Sequence, residues 1–161
     1  MKRLLFGLLF VALLLSGCAR PWEQLMAPAR ERQAARETLN SADAVLVGVM
    51  GRPGDGYREG DRIYTDYSFQ ADRAENAPAG TNITIKMSGG TVVDPTTGIT
   101  AQEIVDHITP MPGAGDEAFL VLRKTGEKYI MLDAMVLKAG QPVHRRAANS
   151  IYLPVLEALR K

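Results

Sequence analysis

Cys18 is the one residue whose type and position together specify a reaction. It is the only cysteine among 161 residues, and a thiolate is a strong nucleophile. Other covalent chemistries lack their parts. A serine nucleophile needs a base beside it, and the only histidines are His107 and His144. One falls in a predicted short helix and one in the tail, neither with a local partner. The sequence holds no HExxH, CxxC, GxSxG or SxxK. Two histidines make a poor transition-metal set. Gly54-Asp55-Gly56 lacks the oxygen-ligand ladder of a calcium loop. Gly51-x-x-Gly54-x-Gly56 leads toward a strand, whereas a phosphate cradle leads into a helix N-terminus. No catalytic residue, metal site or cofactor is predicted.

The residues before Cys18 give the thiol its context. Lys2 and Arg3 are basic, Leu4 to Leu15 is apolar apart from Gly7, and the small residues Ser16 and Gly17 follow. That is the layout of an export signal. The apolar run is 12 residues long, short of the roughly 20 that span a bilayer as a helix. Leu15-Ser16-Gly17-Cys18 resembles the lipobox of bacterial lipoproteins. The resemblance implies diacylglycerol transfer to the Cys18 sulfur, cleavage between Gly17 and Cys18, and acylation of the new amine. Ala19, rather than Asp, follows the cysteine. By the same resemblance the mature protein is expected on the outer membrane, facing the periplasm. Trp22 suits either the headgroup level or the start of a core.

Lys and Arg total 19 against 18 Asp and Glu. Removing the leader takes away Lys2 and Arg3 and leaves a net charge near −1. A balanced chain has no global field to draw in nucleic acid. The rest is long enough to bury an apolar core without staples.

The elements that must carry any site are mostly strands. Residues 22–39 read as a helix with an imperfect apolar stripe of Leu25, Met26, Ala29, Ala35 and Leu39. Arg30, Arg32 and Arg36 suit a solvated or lipid-facing side. Ala42 to Met50 is nearly continuous in apolar residues, as a strand covered on both faces would be. Gly51-Arg52-Pro53-Gly54-Asp55-Gly56 is a breaker cluster and predicts a loop. From Arg62 to Ala71 the pattern alternates, with Ile63, Thr65, Tyr67, Phe69 and Ala71 on one side. Ile83, Ile85 and Met87 alternate likewise. Ala118–Leu122 and Tyr129–Val136 are two further strands, with a hairpin turn at Lys124-Thr125-Gly126-Glu127. Thr100-Ala101-Gln102-Glu103 fits a capping box, predicting a short helix with Ile104, Val105 and Ile108 inward and Pro110 at its end. An irregular crossing segment is the alternative. A last helix is expected within Ile151–Arg160, with Pro154 in its first turn.

Three strands, a crossing segment and two strands is the order of the OB-fold, a small partly open barrel. Residues 42–136 also resemble secreted bacterial OB-like domains at Ser41-Ala42-Asp43-Ala44-Val45, at Gly89-Gly90 and at Gly115-Asp116-Glu117-Ala118-Phe119-Leu120. The expected fold is therefore mainly β: a five-stranded OB-like barrel with an N-terminal and a short C-terminal helix. The organisation reads as signal (1–17), lipid-anchored tether and helix (18–40), barrel (41–137) and C-terminal extension (138–161). OB-folds bind oligomers over the second strand and first loop, which here bear Tyr57, Arg62, Tyr64 and Asp66. A non-enzymatic module for a protein partner is the leading functional expectation. A glycan-binding module, stacking sugar on Tyr64, is the alternative, and an enzyme with a dispersed site on His107 and an acid is a third.

Overall fold

The computed structural model describes residues 26–77, 79–105 and 111–161. Cys18, Gly17, Trp22, Leu25 and His107, and the 106–110 end of the expected short helix, lie outside that range.

Helix α1 covers 26–40 and is followed by β1 (Ala44–Glu59), β2 (Arg62–Glu75) and β3 (Asn82–Ser88). A small hairpin, β4 (Gly90–Val93) and β5 (Thr100–Glu103), leads on to β6 (Glu117–Thr125), β7 (Lys128–Lys138), β8 (Gln141–Pro142) and α2 (Asn149–Leu159). The main sheet has the order β3-β2-β1-β6-β7-β8, and β3 also pairs with β7 in parallel at Ile85–Tyr129 and Lys86–Ile130. That contact curls β1, β2, β3, β6 and β7 into the expected five-stranded OB-like barrel, mainly β with a helix at each end of the chain. Among the described residues no helix is long and apolar enough to cross a membrane.

Two apolar layers explain the unbroken apolar run of β1. Ala44, Leu46 and Met50 point into the barrel with Phe69, Ile85, Leu120 and Leu122. Val45 and Val47 point outward with Phe119, Val121 and Met135, where Ala35 of α1, Ala148 at the start of α2, and Tyr152 and Leu156 within it cover them. The Phe119 and Tyr152 rings meet at 5.5 Å between centroids. Of the stripe expected on α1, Ala35 is buried and Leu39 half-buried, while Ala29 is exposed.

Three local expectations fail. Residues 51–56 are not a loop: β1 runs through them, with register irregularities between Met50 and Pro53 and between Pro53 and Gly56. The breakers survive because β6 leaves β1 at Val49. Pro53 then lacks only a donor to an edge it does not share, and extra residues bend the strand around the barrel. Thr100–Glu103 is not a capped helical turn but a strand, with Thr100 opposite Val93. The Glu103 carboxylate reaches across to accept the Ile63 backbone N–H at 2.6 Å, so it is not available to cap its own turn. Pro154 sits in the second turn of α2, which begins at Asn149.

Glycine is required where the chain crosses a neighbour closely, as at Gly48 and Gly90. A Cβ on Gly48 would lie 1.9 Å from the Gln70 carbonyl oxygen, at a register shift shared with β2. Gly90 has φ +133° and a Cβ there would meet Thr65 Oγ1 at 2.1 Å. The Gly89-Gly90 pair thus lets the chain pass tightly over β2.

Candidate recognition face

The period of two on β2 puts Tyr64 and Asp66 outside the barrel, opposite in parity to buried Ile63 and Thr65. Register then adds neighbours from other strands. Tyr57 of β1 stands opposite Tyr64, and Asp66 stands opposite Lys86 of β3. Lys128 opens β7 two residues before Ile130, the partner of Lys86, and so shares this face.

The side chains interlock. Tyr57 OH donates to Asp66 Oδ1 at 2.8 Å, and Lys128 Nζ donates to Asp66 Oδ2 at 2.5 Å and to the Tyr57 hydroxyl at 3.3 Å. Lys86 pairs with Glu59. The two tyrosine rings lie 6.2 Å apart and tilted by 33°. Lys86 Nζ sits 4.0 Å from the Tyr64 ring centroid and Lys128 Nζ 4.8 Å from that of Tyr57, within range of cation–π attraction. Ile130 adds an exposed aliphatic chain on the same face.

Of the four residues expected here, the structure brings Tyr57, Tyr64 and Asp66 together. Tyr57 does so from a strand rather than from the expected loop. Arg62 shares the face but stays at its exposed margin, opposite a Glu59 that pairs with Lys86. Lys86, Lys128 and Glu59 escaped sequence reasoning. Lys86 was legible as an outward residue of its strand, but only the register, which one sequence does not carry, sets it beside Asp66.

Three groups of the face hold their protons firmly. Burial raises the Tyr57 hydroxyl, helped by its bond to Asp66. The bond to Glu59 raises Lys86, and the bonds to Asp66 and Tyr57 raise Lys128. Each of these three keeps its proton more firmly than usual, so none is tuned to give or take one near pH 7. With Arg62 at its margin, the face carries three basic side chains against two acidic ones.

A second polar cluster lies between the helices and β7, and nothing local in the sequence announced it. Arg146 holds both Asp133 oxygens, at 3.1 and 3.2 Å, and donates to the Ala134 carbonyl at 3.1 Å. Tyr152 OH donates to Asp133 Oδ2 at 2.6 Å. Glu31 of α1 accepts from Arg146 Nε at 3.3 Å and from the backbone N–H groups of Ala147 and Ala148 at 3.2 and 3.4 Å. Glu31 thereby caps α2, whose own N-cap position is an alanine without a side-chain bond. The role is structural, since the groups satisfy one another.

His144 is exposed, and its backbone carbonyl accepts from Asn149. Among the described residues no three His, Cys, Asp or Glu side chains gather as a metal site. The chain matches no family model, no curated protein and no solved structure at a significant level.

Proposed function

We propose that this protein is an envelope lipoprotein, cut before Cys18 and held on the outer membrane by lipid on that cysteine, whose barrel binds a protein partner. The binding surface is the outer face bearing Tyr57, Tyr64, Asp66, Lys86 and Lys128. The anchoring half rests on the charged start, the apolar run and Leu15-Ser16-Gly17-Cys18.

The observation that carries the partner half is the interlocked pair of tyrosines, each with an ammonium over its ring. Tyrosines set in fixed, half-buried positions are the residues that dominate protein–protein binding energy. Their positions are fixed before any partner arrives, which lowers the ordering cost of association. The same observation weighs against sugar stacking. A pyranose needs an open ring face, and Lys86 already lies over Tyr64. Exposed Ile130 extends the patch in the mixed apolar and polar manner of a protein interface. The firm protonation of Tyr57, Lys86 and Lys128 supports recognition rather than proton transfer.

The test is capture from detergent-solubilised envelope with wild-type protein and with Tyr57→Ala and Tyr64→Ala. A reproducible partner bound about tenfold more weakly by each variant is expected, a change that corresponds to about 1.4 kcal/mol. Sedimentation with cell-wall sacculi that Tyr64→Ala abolishes would move the assignment to a glycan. Equal capture by all three proteins would remove this face from the function.

A further inference from the structure

The β4–β5 hairpin stands apart from the barrel as its own two-stranded sheet, held at its root where Gly56 abuts Thr91. It replaces the helix expected between the third and fourth barrel strands, and its surface is unusual for this molecule. Val93 and Ile99 in the hairpin, and Ile104 just beyond it, are 57, 66 and 79 % exposed. Among the described residues the other large exposed aliphatics, Val49, Ile130 and Val143, are scattered and each less than half exposed.

The register distributes these aliphatics over both faces. Val92 pairs with Ala101 and Val93 with Thr100, so Val92 and Ala101 share one side and Val93 takes the other. Ile99 has the parity of Ala101. A flat protein surface covers one side of a two-stranded tip. A medium that surrounds the tip covers both.

The turn is also self-contained. Asp94 Oδ1 accepts the Thr96 and Thr97 N–H groups at 2.8 and 3.3 Å, and Thr97 Oγ1 accepts that of Ile99 at 3.3 Å. The Gly98 N–H goes to the Asp94 carbonyl and the Asp94 N–H to the Ile99 carbonyl, at 2.8 and 2.9 Å. Pro95 has no N–H. Every backbone donor from 94 to 99 therefore has an acceptor within the turn, which removes the donor part of the cost of entering a layer that hydrates poorly. Arg58 and Asp94 both line a cavity of about 580 Å³, together with Val92, Pro95, Ile99 and Ala101. The Arg58 guanidinium has no ion-pair partner among the described residues, leaving its donors available to a phosphate.

We infer that the β4–β5 hairpin is a second membrane contact, its tip seated in the headgroup layer with Arg58 at the level of lipid phosphates. The inference rests on the lipid-anchor reading for the nearness of a bilayer. Residues 19–25 separate Cys18 from the first described turn of α1, and such a stretch spans at most about 25 Å. The ionised Asp94 carboxylate limits depth to the headgroup and upper acyl boundary, about 5–10 Å in. One lipid attachment leaves a domain to tumble on its tether. A second contact fixes which face it turns outward.

The experiment places a solvatochromic dye on Ile99→Cys in the full mature chain, with Ala79→Cys in the β2–β3 turn as a distant exposed control. Each protein is reconstituted in vesicles of phosphatidylethanolamine and phosphatidylglycerol. A blue shift at 99 with none at 79 is expected, and it is expected to vanish when Val93→Ser is added. A dye at 99 that stays in water, or equal shifts at both sites, overturns the inference. So does a shift at 99 that needs an added envelope protein rather than lipid. Intact mass of the reconstituted chain reports the anchor separately, because lipid on Cys18 adds its mass whatever the hairpin does.

Discussion

Asp133 is the residue on which the helical side of the molecule converges. It receives the Arg146 guanidinium and the Tyr152 hydroxyl at once, and its side chain is only 12 % exposed. A hydrogen bond from a buried phenol to a carboxylate contributes about 1.5 kcal/mol. Tyr152→Phe keeps the ring against Phe119 and removes only that bond. The expected result is a lower urea midpoint with an unchanged dependence on urea. Burial, then the bond to Asp133, raises the Tyr152 hydroxyl far above its ordinary value of 10.0. The folded protein therefore keeps this proton at pH values where the unfolded chain loses it. Stability is unaffected below about pH 10 and falls as pH rises beyond it, by at most about 1.4 kcal/mol per unit for this group. Tyr152→Phe is expected to flatten that alkaline decline, measured by urea titrations between pH 8 and 11. None of this was legible beforehand, because Asp133 lies on β7, Arg146 in the connection before α2 and Tyr152 within α2. Tyr57, Tyr64 and Asp66 were legible because a period of two and a nearby aromatic can be seen within ten residues.

Among the elements, α1 and α2 depend on each other more than on their own ends. Glu31 supplies two N-terminal bonds to α2 from another helix, while Ala148 offers it no side-chain cap. A carboxylate at a helix N-terminus contributes about 1 kcal/mol through its hydrogen bonds and the helix dipole. Glu31→Ala is expected to cost that much. It should also speed amide exchange from Ala147 to Tyr152 and along α1, while the β1–β6 ladder keeps its protection, as read by hydrogen exchange with mass spectrometry. Uniform acceleration across the barrel would instead place Glu31 in the global core. The elements also show where local signals fail. A capping box is a claim about where a glutamate's oxygens go, and Glu103 sends them to Ile63 on another strand. A Gly-Pro-Gly cluster claims that the ladder cannot continue, yet an edge left open by β6 and two irregularities let it. Both outcomes turn on tertiary neighbours, which override local propensity.

The whole-molecule arrangement was more legible than its joints. The five barrel strands, their order and the double coverage of β1 follow from alternation, length and unbroken apolarity, and these survive errors of a few residues, whereas β4, β5 and β8 carried no such signal. Closure through β3 and β7 follows from the order, since three strands followed by two leave a parallel pair to complete a barrel. What the fold does depends on how it is held. Attachment through one acyl chain is marginal at about 0.8 kcal/mol per buried methylene, whereas several chains on one residue hold it for good. Intact-mass analysis of the mature protein is therefore expected to show a chain that begins at Cys18 and carries diacylglycerol and an amide-linked acyl group. Cys18→Ser is expected to retain the leader, carry no lipid, and keep the urea midpoint of the barrel, since position 18 precedes every element of the described residues. A wild-type product with a bare thiol at position 18 would detach both proposed surfaces, the tyrosine face and the hairpin, from any membrane. The barrel would be left as it is built here, with its partner to be sought in solution.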